Sequence, residues 1–265
     1  MLNPRTLERW AGKTLQERTV LFHRRFTNKR IAVTTLRRFY LKHRLRRKRV
    51  RQEKYMPANH RANFERKCRE AFGEVAAARA EDRILVYLDE ICFTKATIPL
   101  REWSSHNSNL AIDQRDLGGS FRTVIACISE ARGMDLRTGY NAAINAEDFI
   151  AFLKKLRARF QQVPIALYMD QLNVHRAIAV KPWYDELNIK PILNVAYSPE
   201  FNPIEAIFSK VKSHFRRERL NCLVNKKGFN VDRTINAAFN VITPEHCNRC
   251  IRKSEHLLRR AAGLE

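Results

Sequence analysis

Short apolar runs alternate with amphipathic segments along most of the chain. Runs of mostly apolar residues, rich in β-branched and aromatic types, predict buried strands. The segments between and after them place apolar residues at helical spacing and predict helices. Strands that alternate with helices indicate an α/β fold, with a mixed central sheet flanked by helices. The predicted strands are 83–88, 121–129, 164–169 and 191–195, and the predicted helices are 61–80, 146–160, 177–187 and 203–220.

Residues 1–58 follow a different pattern, in which helical spacing predicts two short helices over 14–26 and 32–45. The second helix is basic and has threonines at its start that can cap it. A basic helix after a short first one favours a small all-α helix-turn-helix module, whose second helix enters the major groove of DNA. A merely basic helix pair is the alternative. We therefore divide the chain into a basic helix-turn-helix region with its linker, 1–58, and a second domain with C-terminal helices, 59–265.

The net charge of the chain indicates the kind of partner that it binds. The chain carries 50 Lys and Arg against 27 Asp and Glu, a net charge of +23. A charge of this size repels itself unless a polyanion is present, which indicates nucleic acid. Ten of the basic residues lie in 37–54, where the run RLRRKRVR can follow phosphates or serve as a nuclear localisation signal. The candidate DNA-binding residues are Arg37, Arg38, Lys42, Arg44, Arg46, Arg47, Lys48, Arg49 and Arg51, with Lys210, Lys212 and Arg216 on the outer face of helix 203–220.

The sequence gives no sign of a membrane partner. No run approaches the roughly 18 apolar residues that a membrane helix requires, and the N-terminus lacks the apolar core of a secretory signal. Six scattered cysteines are not a disulfide framework and fit a reducing compartment. We expect the nucleus, or the cytoplasm and nucleoid if the source is bacterial.

Three acidic residues stand at the ends of predicted elements. Asp89 closes the apolar run RILVYL, Asp170 closes PIALYM, and Glu205 lies in the first turn of helix 203–220. Functional sites of α/β sheets form at the carboxyl ends of strands. If the two strands are neighbours, Asp89 and Asp170 are carried side by side, where they need a cation or a proton.

Two interpretations of Glu205 are open. In the first, Asn202 caps the helix, Pro203 takes its first position, and Glu205 completes a capping box without any role in chemistry. In the second, Glu205 binds metal. At about 100° per residue, it falls on the flank of the apolar stripe that contains Ile204 and Ile207, toward the strand ends.

Three carboxylates at such a position match a two-metal centre. There, two divalent ions about 3.5–4 Å apart activate an attacking oxygen and stabilise a leaving oxygen at phosphorus. Hard oxygen ligands suit Mg²⁺ or Mn²⁺, so Asp89, Asp170 and Glu205 are candidate ligands for two such ions. Glu90, next to Asp89, points to the other side of its strand and is expected to have a structural role or to support a metal ligand from behind rather than to bind metal itself.

The segments VYLDE, YMDQLNVH and YSPEFNPIEAIFSKVK resemble the three blocks of the DDE catalytic domain of Tc1/mariner and IS630-like transposases. With 34 residues between Asp170 and Glu205, the spacing is that of the DD34E type. The resemblance implies an RNase H-like catalytic domain in which Asp89, Asp170 and Glu205 are the catalytic metal ligands. It also implies that His175 lies near the active site, within reach of the scissile phosphate; the alternative is a histidine at a helix start that bonds only to the backbone.

The resemblance implies a function as well. It is that of a DNA transposase, which cuts at terminal inverted repeats and joins the 3′-OH to target DNA by two-metal-ion hydrolysis and transesterification. The partner is then double-stranded DNA, and because two ends must be held together, we expect a homodimer. Two alternatives are a catalytically inactive, domesticated DNA-binding protein and an RNase H-like nuclease that acts on other nucleic acids.

The sequence departs from the family pattern in three places. Gln171 replaces the asparagine that usually follows the second aspartate, and Tyr197 stands at a position usually occupied by proline. Family members typically carry two helix-turn-helix units, whereas the roughly 80 residues before the catalytic domain have room for one, so either the lineage is a shorter one or the first unit is missing from the chain. The first two departures lie beside the predicted site, and the third concerns the recognition of DNA ends.

Overall fold

The computed structural model describes Trp10 and residues 13–45, 57–94, 97–98, 112–117 and 121–264. The chain divides into two compact units, Met1–Lys54 and Tyr55–Glu265. No helix among the described residues is sufficiently long and apolar to span a membrane.

The first unit contains the two predicted helices, α1 (Leu15–Arg25) and α2 (Val33–Lys42). α1 begins at Thr14, which forms a reciprocal capping box with Glu17. The threonine cap predicted for α2 is wrong, because its cap residue is Ala32 and no side chain bonds to the helix start. The N-terminal helices that the sequence predicted are therefore present, and their role in DNA binding stays a prediction.

The second unit is built from a five-stranded sheet and seven described helices. Its strands are β1 (Ile84–Thr94), β2 (Phe121–Ser129), β3 (Gly133–Tyr140), β4 (Ile165–Met169) and β5 (Ile189–Leu193). Its helices are α3 (Ala58–Ala62), α4 (Phe64–Ala80), α5 (Ala146–Phe160), α6 (Lys181–Glu186), α7 (Pro203–Val224), α8 (Val231–Asn240) and α9 (Pro244–Ala261).

The sheet is mixed, in the order β3-β2-β1-β4-β5. β1 pairs with β2, and β2 with β3, in antiparallel fashion, whereas β1 and β4, and β4 and β5, are parallel. The mixed sheet is as predicted, but strand β3 was missed. Its sequence, GMDLRTGY, contains few apolar residues because β3 is an edge strand with mostly half-buried positions.

Helices cover both faces of the sheet and create two apolar layers. On one face, residues such as Tyr87 and Ile91 of β1 pack with Ile204 of α7 and with apolar residues of α4, α8 and α9. On the other face, Val86 and Leu88 pack with α5 and α6. Successive residues of β1 therefore face different helical layers, which sets the directions of the side chains at the functional site.

Candidate active site

Asp89 and Asp170 follow equivalent positions of two neighbouring parallel strands. β1 pairs with β4 so that Tyr87 is opposite Tyr168, and each aspartate comes two residues after its tyrosine. Because strand side chains alternate between faces, equal offsets bring the two carboxylates to the same edge of the sheet, side by side. The strands that carry these two aspartates are thus neighbours, which was the condition for a shared site.

Asp89 does not close its strand, contrary to the expectation from its apolar run. β1 continues to Thr94, and Asp89 is paired with Ala126 of β2. What ends near this point is the pairing with β4, whose last paired residue on β1 is Tyr87. The apolar run stops because β1 loses its neighbour on one side, which opens room for a polar side chain inside the sheet.

The start of α7 carries Glu205, and the capping-box interpretation of this residue is wrong. Asn202 precedes the helix but forms no side-chain cap. Its Nδ2 instead donates to the carbonyl oxygen of Leu88 at 3.0 Å. This buried bond attaches the helix start to β1 one residue before Asp89. Glu205 is exposed beside the buried Ile204, in agreement with its predicted place on the flank of the apolar stripe.

The ionisation of Asp89 reflects the negative charge that gathers here. Asp89 is only 9% exposed. Burial raises the pKa of Asp89 to about 8, and the carboxylates of Glu205, Glu90 and Asp170 contribute to the rise. A bond of 2.8 Å from the backbone NH of Glu90 to Asp89 Oδ1 opposes it. A divalent cation would compensate this negative charge, and the carboxylate oxygen atoms suit Mg²⁺ or Mn²⁺.

His175 lies behind Asp170 and is not open to a phosphate, which corrects the position expected for it. It belongs to the short 3₁₀ turn Val174–Arg176 and is 1% exposed. Its Nε2 lies 3.0 Å from Glu90 Oε1, and its Nδ1 lies 3.0 Å from Asp170 Oδ1. Burial favours the neutral ring, but hydrogen bonds to Asp170 and Glu90 outweigh it and raise the pKa of His175 to about 10.

Glu90, Asp170 and His175 also form a group with the composition of a metal site. Each offers one ligand atom, and these atoms all lie within 4.8 Å of one another. Asp170 belongs both to this group and to the predicted triad with Asp89 and Glu205. The sequence did not single out the contact between Glu90 and His175, since the two residues are 85 positions apart.

Asn194 joins the strand ends around the site, another role that the sequence did not reveal. Its backbone NH donates to the Met169 carbonyl at 2.7 Å, immediately before Asp170. Its Oδ1 accepts from the hydroxyl of Tyr168 at 2.8 Å, and its carbonyl accepts from Gln171 Nε2 at 2.9 Å. The ends of β4 and β5 are thereby fixed relative to each other, and Gln171 is part of this connection.

Tyr197, the second departure, has a backbone that proline cannot adopt. Its φ is 62°, in the left-handed region, whereas the proline ring fixes φ near about −65°. Tyr197 is 53% exposed, and its ring meets that of His60 edge-on at 5.3 Å. The loop before α7 therefore takes a course in this chain that the usual proline would exclude.

Comparison with protein families shows the family to which the chain belongs. A family model described as DDE superfamily endonuclease matches residues 84–224. This segment is more than half of the chain and contains all three predicted acidic residues. The chain belongs to the DDE endonuclease superfamily. A comparison with curated proteins found no match.

The chain has the fold of a mariner transposase. The Mos1 mariner paired end complex with Mn is similar, with a TM-score of 0.64 and 15% identity over 98% of this chain and 76% of that chain. The Mos1 strand transfer complex has a TM-score of 0.59, with 15% identity over 88% and 70%. For the Mos1 catalytic domain with raltegravir and Mn, the values are 0.54, with 13% identity over 80% and 96%. The predicted RNase H-like fold is confirmed.

The candidate DNA-binding residues of the DDE endonuclease are only partly within the described chain. Those on or just after α2, namely Arg37, Arg38, Lys42 and Arg44, are all exposed. On α7, Arg216 is exposed, Lys212 is half-buried, and Lys210 Nζ lies 2.7 Å from His246 Nε2. Arg46, Arg47, Lys48, Arg49 and Arg51 lie outside the described residues.

Proposed function

We propose that this DDE endonuclease is a DNA transposase that cuts at terminal inverted repeats and joins the freed 3′-OH to target DNA. The observation that carries the proposal is the gathering of Asp89, Asp170 and Glu205 around the point where β1 and β4 part. The fold supports it, because the similar Mos1 structures include a paired-end complex with a transposon end and a strand transfer complex.

The residues fit divalent metal. Mg²⁺ or Mn²⁺, in our proposal two ions held by Asp89, Asp170 and Glu205, would activate the attacking oxygen and stabilise the leaving oxygen at phosphorus. The similar Mos1 complexes contain Mn or Mg. The chain itself supplies rigidity. Asp89 comes from a central strand, Asp170 from a strand end, and Glu205 from a helix start that is bonded to β1.

The proposed reaction is a pair of exchanges at phosphorus. In the first, water attacks the phosphodiester at the element end, and the 3′-oxygen leaves as a hydroxyl. In the second, this hydroxyl attacks a phosphodiester of the target DNA, so that one P–O bond forms as another breaks. Neither exchange requires a covalent link to protein. The carboxylates would hold the metal ions in fixed places, and ions held in this way keep the reacting groups in line, which is the main protein contribution to phosphoryl transfer.

We further propose that residues 1–58 bind the terminal repeats, that a homodimer holds the two ends together, and that the protein acts on the DNA of the nucleus or nucleoid. The exposed basic residues of α2 support the first of these proposals. Arg37 and Arg38 share a helix face with Leu41 and Lys42, since residues three and four apart are neighbours on a helix. Such a face is typical of a helix that contacts DNA.

The test is cleavage of a supercoiled plasmid that carries candidate element ends. With Mg²⁺ or Mn²⁺, the unaltered protein is expected to nick the plasmid and to form strand-transfer products. Asp170→Asn should lower the nicking rate by at least about a thousandfold, because the charge stabilisation that it removes is worth several kcal/mol. Binding of end DNA, measured by gel shift, should be retained.

Asp185→Asn is the matched control, because Asp185 is an exposed aspartate on α6, and its nicking rate should equal that of the unaltered protein. Retained nicking by Asp170→Asn would contradict the proposal. Gel shifts without nicking by the unaltered protein would favour the inactive DNA-binding protein. Nicking without strand transfer would favour a nuclease.

A further inference from the structure

We propose that Glu90 and His175 are positioning residues that hold the Asp170 carboxylate in the orientation required for metal binding, an inference that rests on the proposed function. Asp170 follows the last residue of β4, and its side chain is 39% exposed. A partly exposed carboxylate at a strand end can take several rotamers unless neighbouring groups hold it. Something behind it must therefore set its direction.

The contacts around Asp170 supply this constraint from one side. His175 Nδ1 lies 3.0 Å from Asp170 Oδ1 and 3.2 Å from the Asp170 carbonyl oxygen. The backbone NH of Leu172 donates to the same Oδ1 at 3.1 Å. Both donors approach Oδ1, which leaves Oδ2 as the oxygen for an incoming ligand. His175 thus contacts both the main chain and the side chain of Asp170.

The imidazole is itself held on several sides. The ring of Phe149 lies with its centroid 4.6 Å from that of His175, and Tyr184 Oη donates to the His175 carbonyl at 3.0 Å. Its other nitrogen, Nε2, meets Glu90 Oε1 at 3.0 Å. A ring that is fully enclosed and bonded at both nitrogens transmits its position to Asp170, as outer partners of metal ligands commonly do.

Through Glu90, β1 influences Asp170 as well as carrying Asp89. Asp89 and Glu90 are consecutive, so their side chains leave opposite faces of the strand. Asp89 reaches the site directly, and Glu90 reaches it through His175. The side chain of Glu90 is 11% exposed, and its Oε2 is buried with no hydrogen-bond partner among the described residues. Burying a carboxylate without all of its hydrogen bonds lowers the stability of the fold. We attribute the presence of Glu90 at this position to its contact with His175.

The geometry favours positioning over a metal ion shared by Glu90, Asp170 and His175. Although their ligand atoms lie within 4.8 Å of one another, the two carboxylates sit at different nitrogens of the ring. One ion can bind only one of these nitrogens, and it would have to displace the contact already made there. The arrangement is a series of hydrogen bonds through the ring.

Two substitutions of His175 distinguish the contact made by Nδ1 from the contact made by Nε2. In His175→Asn the side-chain NH₂ can take the place of Nδ1 and keep the contact with Asp170. In His175→Gln it can take the place of Nε2 and keep the contact with Glu90 alone. Both variants lose the aromatic ring, so both should lower the melting temperature to a similar extent. Only the second should release Asp170.

The readout is Mn²⁺ binding, followed by electron paramagnetic resonance of the free ion, together with the melting temperature of each variant. His175→Gln should weaken Mn²⁺ binding by about 10–100-fold, the usual effect of losing an outer partner of a metal ligand. His175→Asn should stay near the unaltered protein. Glu90→Gln retains an acceptor oxygen for the ring and should bind Mn²⁺ more tightly than Glu90→Ala.

Equal Mn²⁺ affinities for His175→Asn and His175→Gln, with equal melting temperatures, would overturn the proposal. So would the loss of one bound ion per chain in both variants, since His175 would then be a ligand. The test does not depend on DNA cutting. Mn²⁺ binding without any nicking by the unaltered protein would refute the proposed function and leave the positioning role measurable, whereas a complete lack of Mn²⁺ binding would refute both.

Discussion

At the scale of single residues, the two buried aspartates Asp89 and Asp135 differ in what surrounds their charge. Asp89 is buried beside other carboxylates at the candidate active site, where a cation can compensate them. Asp135, on β3, is 6% exposed, and neither of its carboxylate oxygens has a normal hydrogen bond within the described residues. Burial raises the pKa of Asp135 to about 6, and Ser129 and nearby arginines only partly oppose this. The second aspartate is therefore a cost to stability at neutral pH.

Asp135→Asn should stabilise the protein at pH 7 by about 1–3 kcal/mol. The pKa of Asp135 is higher in the folded protein than its ordinary value, about 6 against 3.8. Between these values the folded state retains a proton that the unfolded state releases, so stability falls as pH rises through this window. Urea unfolding at pH 4 and pH 7 measures the effect. The gain should appear at pH 7 and vanish near pH 4, and Asp185→Asn should show no gain at either pH.

At the scale of elements, two asparagines at helix starts do different work. Asn145 forms a true capping box with Asp148 at the start of α5. Asn202 stands at the same position before α7, yet its amide crosses to the carbonyl of Leu88. The first stabilises its own helix. The second sets the position of a helix, and therefore of Glu205, relative to the central strand.

Asn145→Ala and Asn202→Ala should separate stability from activity. Asn145→Ala removes a cap and should cost about 0.5–2 kcal/mol, with an unchanged nicking rate well below the melting temperature. Asn202→Ala removes a buried hydrogen bond and should cost about 1–3 kcal/mol. It should also slow nicking by at least tenfold, about 1.4 kcal/mol in the barrier, because Glu205 is no longer anchored. Thermal melts and plasmid nicking are the measurements, and equal nicking rates would exclude the anchoring role of Asn202.

At the scale of the whole molecule, the chain is strongly basic, whereas its candidate active site is acidic. The chain has a net charge of +23, yet acidic side chains gather where β1 and β4 part. The surplus of basic residues provides attraction to any DNA, whereas the acidic cluster needs metal before a phosphate can approach. Binding and cutting should therefore respond differently to salt and to divalent ions.

Replacing Arg37 and Arg38 together by glutamine should make DNA binding less dependent on salt. Each phosphate contact contributes about 0.9 to the slope of log K against log salt, so the double variant should lower the magnitude of the slope by about two. Fluorescence anisotropy over a series of salt concentrations measures it. Lys13→Gln with Arg66→Gln is the control of equal charge, because Lys13, just before α1, is paired with Glu17, and Arg66 is paired with Glu70 on α4. An unchanged slope in the Arg37 and Arg38 variant would show that α2 does not contact phosphates.

Elements with a strong local signal could be predicted from the amino-acid sequence. Apolar runs marked four of the five strands. Acidic residues that follow or interrupt apolar segments suggested Asp89, Asp170 and Glu205 as metal ligands, and this assignment stays a prediction. These features are local because burial on both faces of a sheet demands an unbroken apolar run. Edge strand β3 escaped detection because one of its sides has no neighbouring strand, and its half-buried positions tolerate polar residues.

Tertiary structure alone decided how the site is assembled. Asp89 lies inside β1 because the pairing with β2 continues to Thr94 after the pairing with β4 has ended, which is a property of three strands. Asn202 matches a capping residue in sequence, but its side chain donates a hydrogen bond to the Leu88 carbonyl instead. The contact of Glu90 with His175 spans 85 positions. Local periodicity carries no information about such contacts, because strand register and helix packing create them only when the chain has folded.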